Sequence, residues 1–167
     1  MGRANALLDA INQKDPRKYN DHVLLVDGMN MFIRNFATVR SMNPKGAHVG
    51  GLVGFLRSLG FVTRKFNPTR VIVVFDGRGS STNRKNINPE YKAQRQNARI
   101  TRWELFDTRE EERTSLFTQI ERLNDYLDCL PITCIRMDKL EADDVIAFIA
   151  RTLSTNGKKS TIVSTDK

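Results

Sequence analysis

The sequence predicts an α/β protein, a mostly parallel β-sheet flanked by helices in a three-layer sandwich. Three observations predict it. Two apolar runs of strand length, HVLLVDG at 22–28 and TRVIVVFDG at 69–77, are continuous rather than alternating, as in strands buried on both faces of a parallel sheet. The long segments between candidate strands carry apolar residues at helical spacing. Strand and helix patterns alternate along the chain, which implies parallel strands joined by crossover helices.

Residues 1–20 read as a short helix with a polar, Pro-containing exit, and the first strand then ends in Asp-Gly. The stretch 46–66 places Val49, Leu52, Val53, Leu56, Leu59 and Phe61 at mostly helical spacing; Gly50, Gly51 and Gly54 lower its helix propensity but permit close packing on the sheet. The second strand also ends in Asp-Gly, and a charged stretch follows it. A helix from about Thr114 to Leu127 carries Leu116, Ile120 and Leu123 and stops before Pro131. PITCIRM at 131–137 is a third strand, LEADDVIAFIARTLSTNG a helix ended at Gly157, and KKSTIVSTDK a fourth strand arriving at Asp166. There is no internal repeat or low-complexity tract.

At 167 residues the chain has the size of one domain, and 27 Lys and Arg against 19 acids give a net charge of +8. That balance favours a polyanionic partner, nucleic acid first. The excess is local: from Ser80 to Arg102 there are six basic residues, Arg84, Lys85, Lys92, Arg95, Arg99 and Arg102, against the single acid Glu90. A merely solvated basic surface would scatter them. The two cysteines, Cys129 and Cys134, have no further Cys or His nearby for a zinc site, make no disulfide framework, and are expected in the core. Nothing in the first twenty residues reads as a secretory or lipid-anchor signal, and nowhere do eighteen apolar residues run together, so no membrane span is expected.

Strand C-termini of a parallel sheet share one edge, where ligands bind. Here that edge is acidic: Asp27 ends the first strand, Asp76 the second, Glu141, Asp143 and Asp144 open the helix after the third, and Asp166 ends the fourth. Taken singly, each is a turn former or helix cap. Crowded together they repel unless cations neutralise them, and hard oxygen ligands suit Mg²⁺ or Mn²⁺. The acids would hold metal, the metal a phosphate, and the basic arm the nucleic acid that carries it.

VDGMN, VVFDG, the R…PEYK…R arm, EADD and STD stand in the order found in phage and bacterial 5′ nucleases, and the chain resembles that flap-endonuclease-related family over residues 22–167. EADD at 141–144 and PEYKAQR at 89–95 are its most specific parts. The resemblance implies an N-terminal extension at 1–21, a PIN-like catalytic domain at 22–167, and an arch over about 80–113. It also implies two divalent ions held by Asp27, Asp76, Glu141, Asp143, Asp144 and Asp166. Arg84 and Lys92 match the arch residues that reach the scissile phosphate, Arg34 resembles a phosphate contact, and Tyr91 an aromatic on which a terminal base stacks. Lys85, Arg95 and Arg99 are expected to bind nucleic acid beside them, and Trp103 and Phe106 to pack within the arch.

The implied activity is metal-dependent hydrolysis by a structure-specific 5′ nuclease, a 5′-3′ exonuclease or flap endonuclease of replication or repair. Its expected partners are DNA with 5′ flaps or single-stranded 5′ ends, RNA–DNA hybrids and replication proteins, met by a cytoplasmic monomer, in the host if phage-encoded. A non-catalytic nucleic-acid-binding module and a PIN-type ribonuclease are the alternatives; a receiver-type phosphotransfer domain would have no use for the arm. The family pattern has a second aspartate after STD and a helix-hairpin-helix-like module beyond it, so a chain ending at Lys167 is expected to be a fragment.

Overall fold

The computed structural model describes residues 18–80, 100–101 and 105–164. The helix expected within the first twenty residues lies largely outside them. Four strands, β1 (His22–Asp27), β2 (Arg70–Asp76), β3 (Thr133–Met137) and β4 (Lys159–Val163), form one sheet in the order β3-β2-β1-β4, with all pairings parallel. The helices are α1 (Gly28–Thr38), α2 (Gly50–Phe66), α3 (Arg109–Asp128) and α4 (Ala142–Thr155).

Alternation along the two central strands divides the core in two. Leu24, Val26, Val71, Val73 and Phe75 face α1, α2 and α3, meeting Phe32, Phe36, Phe55, Leu59, Leu116, Leu123 and Leu127. Val23, Leu25, Ile72 and Val74 face α4 through Ala142, Val145 and Ile146. Burying both faces is why these two strands read as unbroken apolar runs. Phe32, Phe36 and Phe55 are wholly buried, each contributing about 1.5–3 kcal/mol.

Helix α1 has no counterpart in the sequence reading. It starts directly from the strand end, because the Asp27 side chain caps it by accepting from Asn30 N at 2.9 Å. The glycines of α2 serve as expected: a Cβ at Gly51 would stand 2.7 Å from Phe32 Cζ, so the small residue lets α1 and α2 approach. Helix α3 begins five residues before the expected Thr114. Thr108 and Glu111 form a complete capping box, and this polar signal extends the helix beyond its apolar stripe.

One expectation is corrected. Cys129 and Cys134 are both exposed: Cys129 follows the last residue of α3, and Cys134 lies on β3, which among the described residues is an edge strand of the sheet. Phe106 packs on the body of the protein. It stacks on Phe36 with centroids 6.2 Å apart and meets His48 edge-on.

Candidate metal and nucleic-acid site

The all-parallel sheet brings the ends of β1 and β2 to one edge, and register puts Asp27 opposite Val74, two residues short of Asp76. Asp27 is 6% exposed. The Asp76 Oδ1 atom accepts from Ala142 N at 2.8 Å, so the end of β2 is tied to the first turn of α4. Glu141 stands at the N-cap of that helix and is the most deeply buried acid of the edge, at 2% exposure. Asp143 and Asp144 lie exposed in the first turn, where the positive end of the helix favours negative charge.

The structure thus gathers Asp27, Asp76, Glu141, Asp143 and Asp144 along one edge of the molecule. Among the described residues, no three His, Cys, Asp or Glu side chains converge closely enough to hold a metal. Asp27 and Asp76 are turned onto backbone N–H groups, each capping a helix. The donor chemistry of the edge, carboxylate oxygen throughout, fits a hard divalent cation. Asp166 lies outside the described residues, as do Arg84, Lys85, Tyr91, Lys92, Arg95, Arg99 and Trp103.

Residues 77–80, which precede the basic segment in the chain, begin at a close crossing of two backbones. Gly77 follows Asp76, and a Cβ there would lie 1.8 Å from the backbone oxygen of Met137. Gly77 N donates to Leu140 O at 3.3 Å and Lys139 N to Arg78 O at 2.8 Å, while Arg78 N donates to Asp138 Oδ1 at 3.2 Å. Lys139 turns the chain with a φ of 64°, in the left-handed region. The same short turn therefore meets residues 77–78 on one side and leads into Glu141 on the other.

Arg34 is exposed on α1, on the wall of a groove of about 540 Å³ shared with Asn30, Thr38, Arg57, Phe61 and Ser164. Neither α1 nor α2 contains an acid. The sequence reading used Phe61 only as a packing residue and passed over Arg57. Their spacing of four along a helix put both on one face, a signal masked by the apolar stripe beside it. Asp138 and Gly77 were also missed; only the crossing of two distant segments gives them a role.

The chain matches the 5′-3′ exonuclease N-terminal resolvase-like domain over residues 22–167. It is 30% identical over 146 residues to DNA polymerase I of Borreliella burgdorferi, covering 86% of this chain and 14% of that protein. It is 31% identical over 144 residues to the 5′-3′ exonuclease of Aquifex aeolicus, covering 86% of this chain and 45% of the relative. Its fold is similar to the crystal structure of bacteriophage T5 flap endonuclease in a complex with DNA and metal ions, with a TM-score of 0.64 at 21% identity, covering 87% of this chain and 49% of the other. The chain spans less than half the length of each of these three. It belongs to the family of 5′-3′ exonuclease N-terminal resolvase-like domains.

Proposed function

We propose that this family member is the catalytic part of a divalent-metal-dependent, structure-specific 5′ nuclease that hydrolyses phosphodiesters in flap, branched or RNA-primed DNA. The observation that carries the reading is the edge itself: Asp27 and Asp76 end adjacent parallel strands, and Asp76 is bonded to the turn that presents Glu141, Asp143 and Asp144. These five and Asp166 would hold two Mg²⁺ or Mn²⁺ ions. When bound, such ions make hydroxide available at neutral pH and neutralise charge on the phosphate.

The chain's own residues divide the remaining work. The carboxylates set where a phosphate is held at the edge. Arg84 and Lys92 balance the charge that grows on its non-bridging oxygens, a role commonly worth about 3–4 kcal/mol for one well-placed donor. Tyr91 stacks on an unpaired terminal base, worth roughly 1–3 kcal/mol. Arg34, Lys85, Arg95 and Arg99 grip the backbone through charge, so affinity falls with salt. The nuclease acts as a monomer in the cytoplasm beside the replication machinery. Among the described residues, no helix is long and apolar enough to cross a membrane.

The test is cleavage of 5′-flap, nicked and RNA-primed duplexes in Mg²⁺ with product ends mapped, using this chain and the longest natural polypeptide that contains it. Products released from the 5′ side of a junction support the proposal. Binding without cleavage by either protein favours a non-catalytic module, and cleavage confined to RNA favours a PIN-type ribonuclease.

A further inference from the structure

We infer that the groove between α1 and α2 is a subsite for an unpaired strand of nucleic acid, with Phe61 stacking on a base and Arg34, Arg57 and Lys65 holding the phosphates beside it. Such a subsite presupposes the nucleic-acid reading proposed above, but not hydrolysis.

The signal begins in the sequence. From Gly28 to Phe75 there is no Asp or Glu, although an even spread of the chain's 19 acids would put about five there, and the same stretch holds seven Arg and Lys. A solvated face normally mixes both signs. One of the seven, Arg70, is engaged at the start of β2 by Thr133 and Asn20. The others belong to α1, α2 and the chain between them, and the two helices pack as one layer: a Cβ at Gly54 would lie 2.6 Å from Asn35 Oδ1.

Arg34, Arg57, Phe61, Arg64 and Lys65 are exposed. Among the described residues no carboxylate pairs with Arg34, Arg57, Arg64 or Lys65. Arg57, Phe61 and Lys65 stand four apart along one row of α2, and Lys65 Nζ lies 5.9 Å from the Phe61 ring centroid. Arg34 and Arg57 line the same groove, with Phe61 on its wall. The Phe61 ring is 58% exposed. A single exposed ring needs no explanation; one set in a basic row does, since aromatic and basic side chains together hold single strands. Bases within a duplex already stack on their neighbours, so an open ring favours an unpaired one. An acidic peptide would satisfy the cations but give the ring no flat partner.

The groove also reaches the acidic edge. Its lining runs along α1 from Asn30 to Thr38, about 12 Å, and Asn30 N donates to Asp27 Oδ1. A strand lying in it ends at the turn of α1 that Asp27 caps.

The experiment measures binding by fluorescence anisotropy in EDTA, using the longest natural polypeptide containing this chain. Wild type, Phe61→Ala, Phe61→Tyr and Arg57→Ala are compared on an oligothymidylate strand, an abasic strand, a blunt duplex of equal length and a poly-glutamate peptide. For Phe61→Ala we expect affinity for the oligothymidylate to fall about fivefold or more with its salt slope unchanged, and the abasic strand and duplex to bind as before. Phe61→Tyr keeps a ring and should bind like wild type. Arg57→Ala should flatten the salt slope by about 0.7.

Folded Phe61→Ala and Arg57→Ala proteins that bind the oligothymidylate as wild type does overturn the inference and leave the nuclease reading standing. So does an equal loss on all three nucleic acids, which marks a structural role. Tighter binding of poly-glutamate than of oligothymidylate, weakened by the same substitutions, makes the groove a protein-docking site and overturns it too. Should Phe61→Ala fail to fold, wild-type salt slopes in both Arg57→Ala and Lys65→Ala overturn it equally. A wild-type protein that binds no nucleic acid overturns both readings; one that binds as described yet cleaves nothing in Mg²⁺ supports the groove and overturns hydrolysis alone.

Discussion

The Asp76 carboxylate accepts a 2.8 Å hydrogen bond from Ala142 N, tying the end of one central strand to the helix that presents Asp143 and Asp144. A side chain offered to a metal by the sequence is also a helix cap in the fold. The two roles separate by substitution. Asp76→Ala loses the acceptor and should cost about 1 kcal/mol, seen by calorimetry as a fall of about 2–4 °C in Tm. Asp76→Asn keeps a carbonyl oxygen and should nearly hold the Tm, yet lower single-turnover cleavage far more than substrate affinity. Full activity in the Asn variant would remove Asp76 from the site.

Gly77 sets how closely β2 crosses the turn before Glu141. Because a Cβ would meet the Met137 backbone oxygen at 1.8 Å, no side-chain rotation relieves Gly77→Ala. The expected cost is about 1–3 kcal/mol, measured by urea unfolding. An unchanged midpoint would mean that the crossing is looser than described.

His48 makes stability depend on pH. It is 5% exposed, and burial holds its imidazole below the ordinary value of 6.5, against a smaller opposing effect from its bond to Val39 O. Val39 O can only accept, so Nε2 carries the proton, leaving Nδ1 to accept from Gln119 Nε2 at 3.3 Å. The unfolded chain takes up a proton more readily than the folded one. Stability is therefore lost as pH falls through 6.5, until the pH lies below the depressed folded value. Thermal melts between pH 7.5 and 5 should slope less for His48→Gln than for wild type.

Metal should act on the folded protein directly. If the acidic edge holds Mg²⁺, its titration should raise Tm by mass action, and Asp143→Asn combined with Asp144→Asn should abolish the rise. Chelation by EDTA should stop cleavage. Undiminished cleavage in EDTA would refute metal dependence.

Within the basic segment, Lys92→Ala should slow the chemical step with substrate already bound. Arg99→Ala should mainly weaken binding and flatten its salt dependence. Equal, small effects from both would make the segment a plain solvated surface.

The sequence by itself determined the frame. Strands buried on both faces must be apolar at every position, so 22–27 and 70–76 announced themselves, and their alternation with helices dictated parallel order and acids at a shared edge. The start of α1 was hidden because Asp27 reads equally as a strand-end turn residue and as a helix cap, and its bond to Asn30 N decides between them. Only the tertiary structure decided which partners the acids take. Asp76 meets Ala142 and Glu112 meets Thr101 across segments that no periodicity connects. It also decided that Cys134 is exposed, since a strand pattern does not reveal whether its strand is central or at an edge. Periodicity records which face of an element is buried; what it is buried against depends on contacts between residues far apart in the chain.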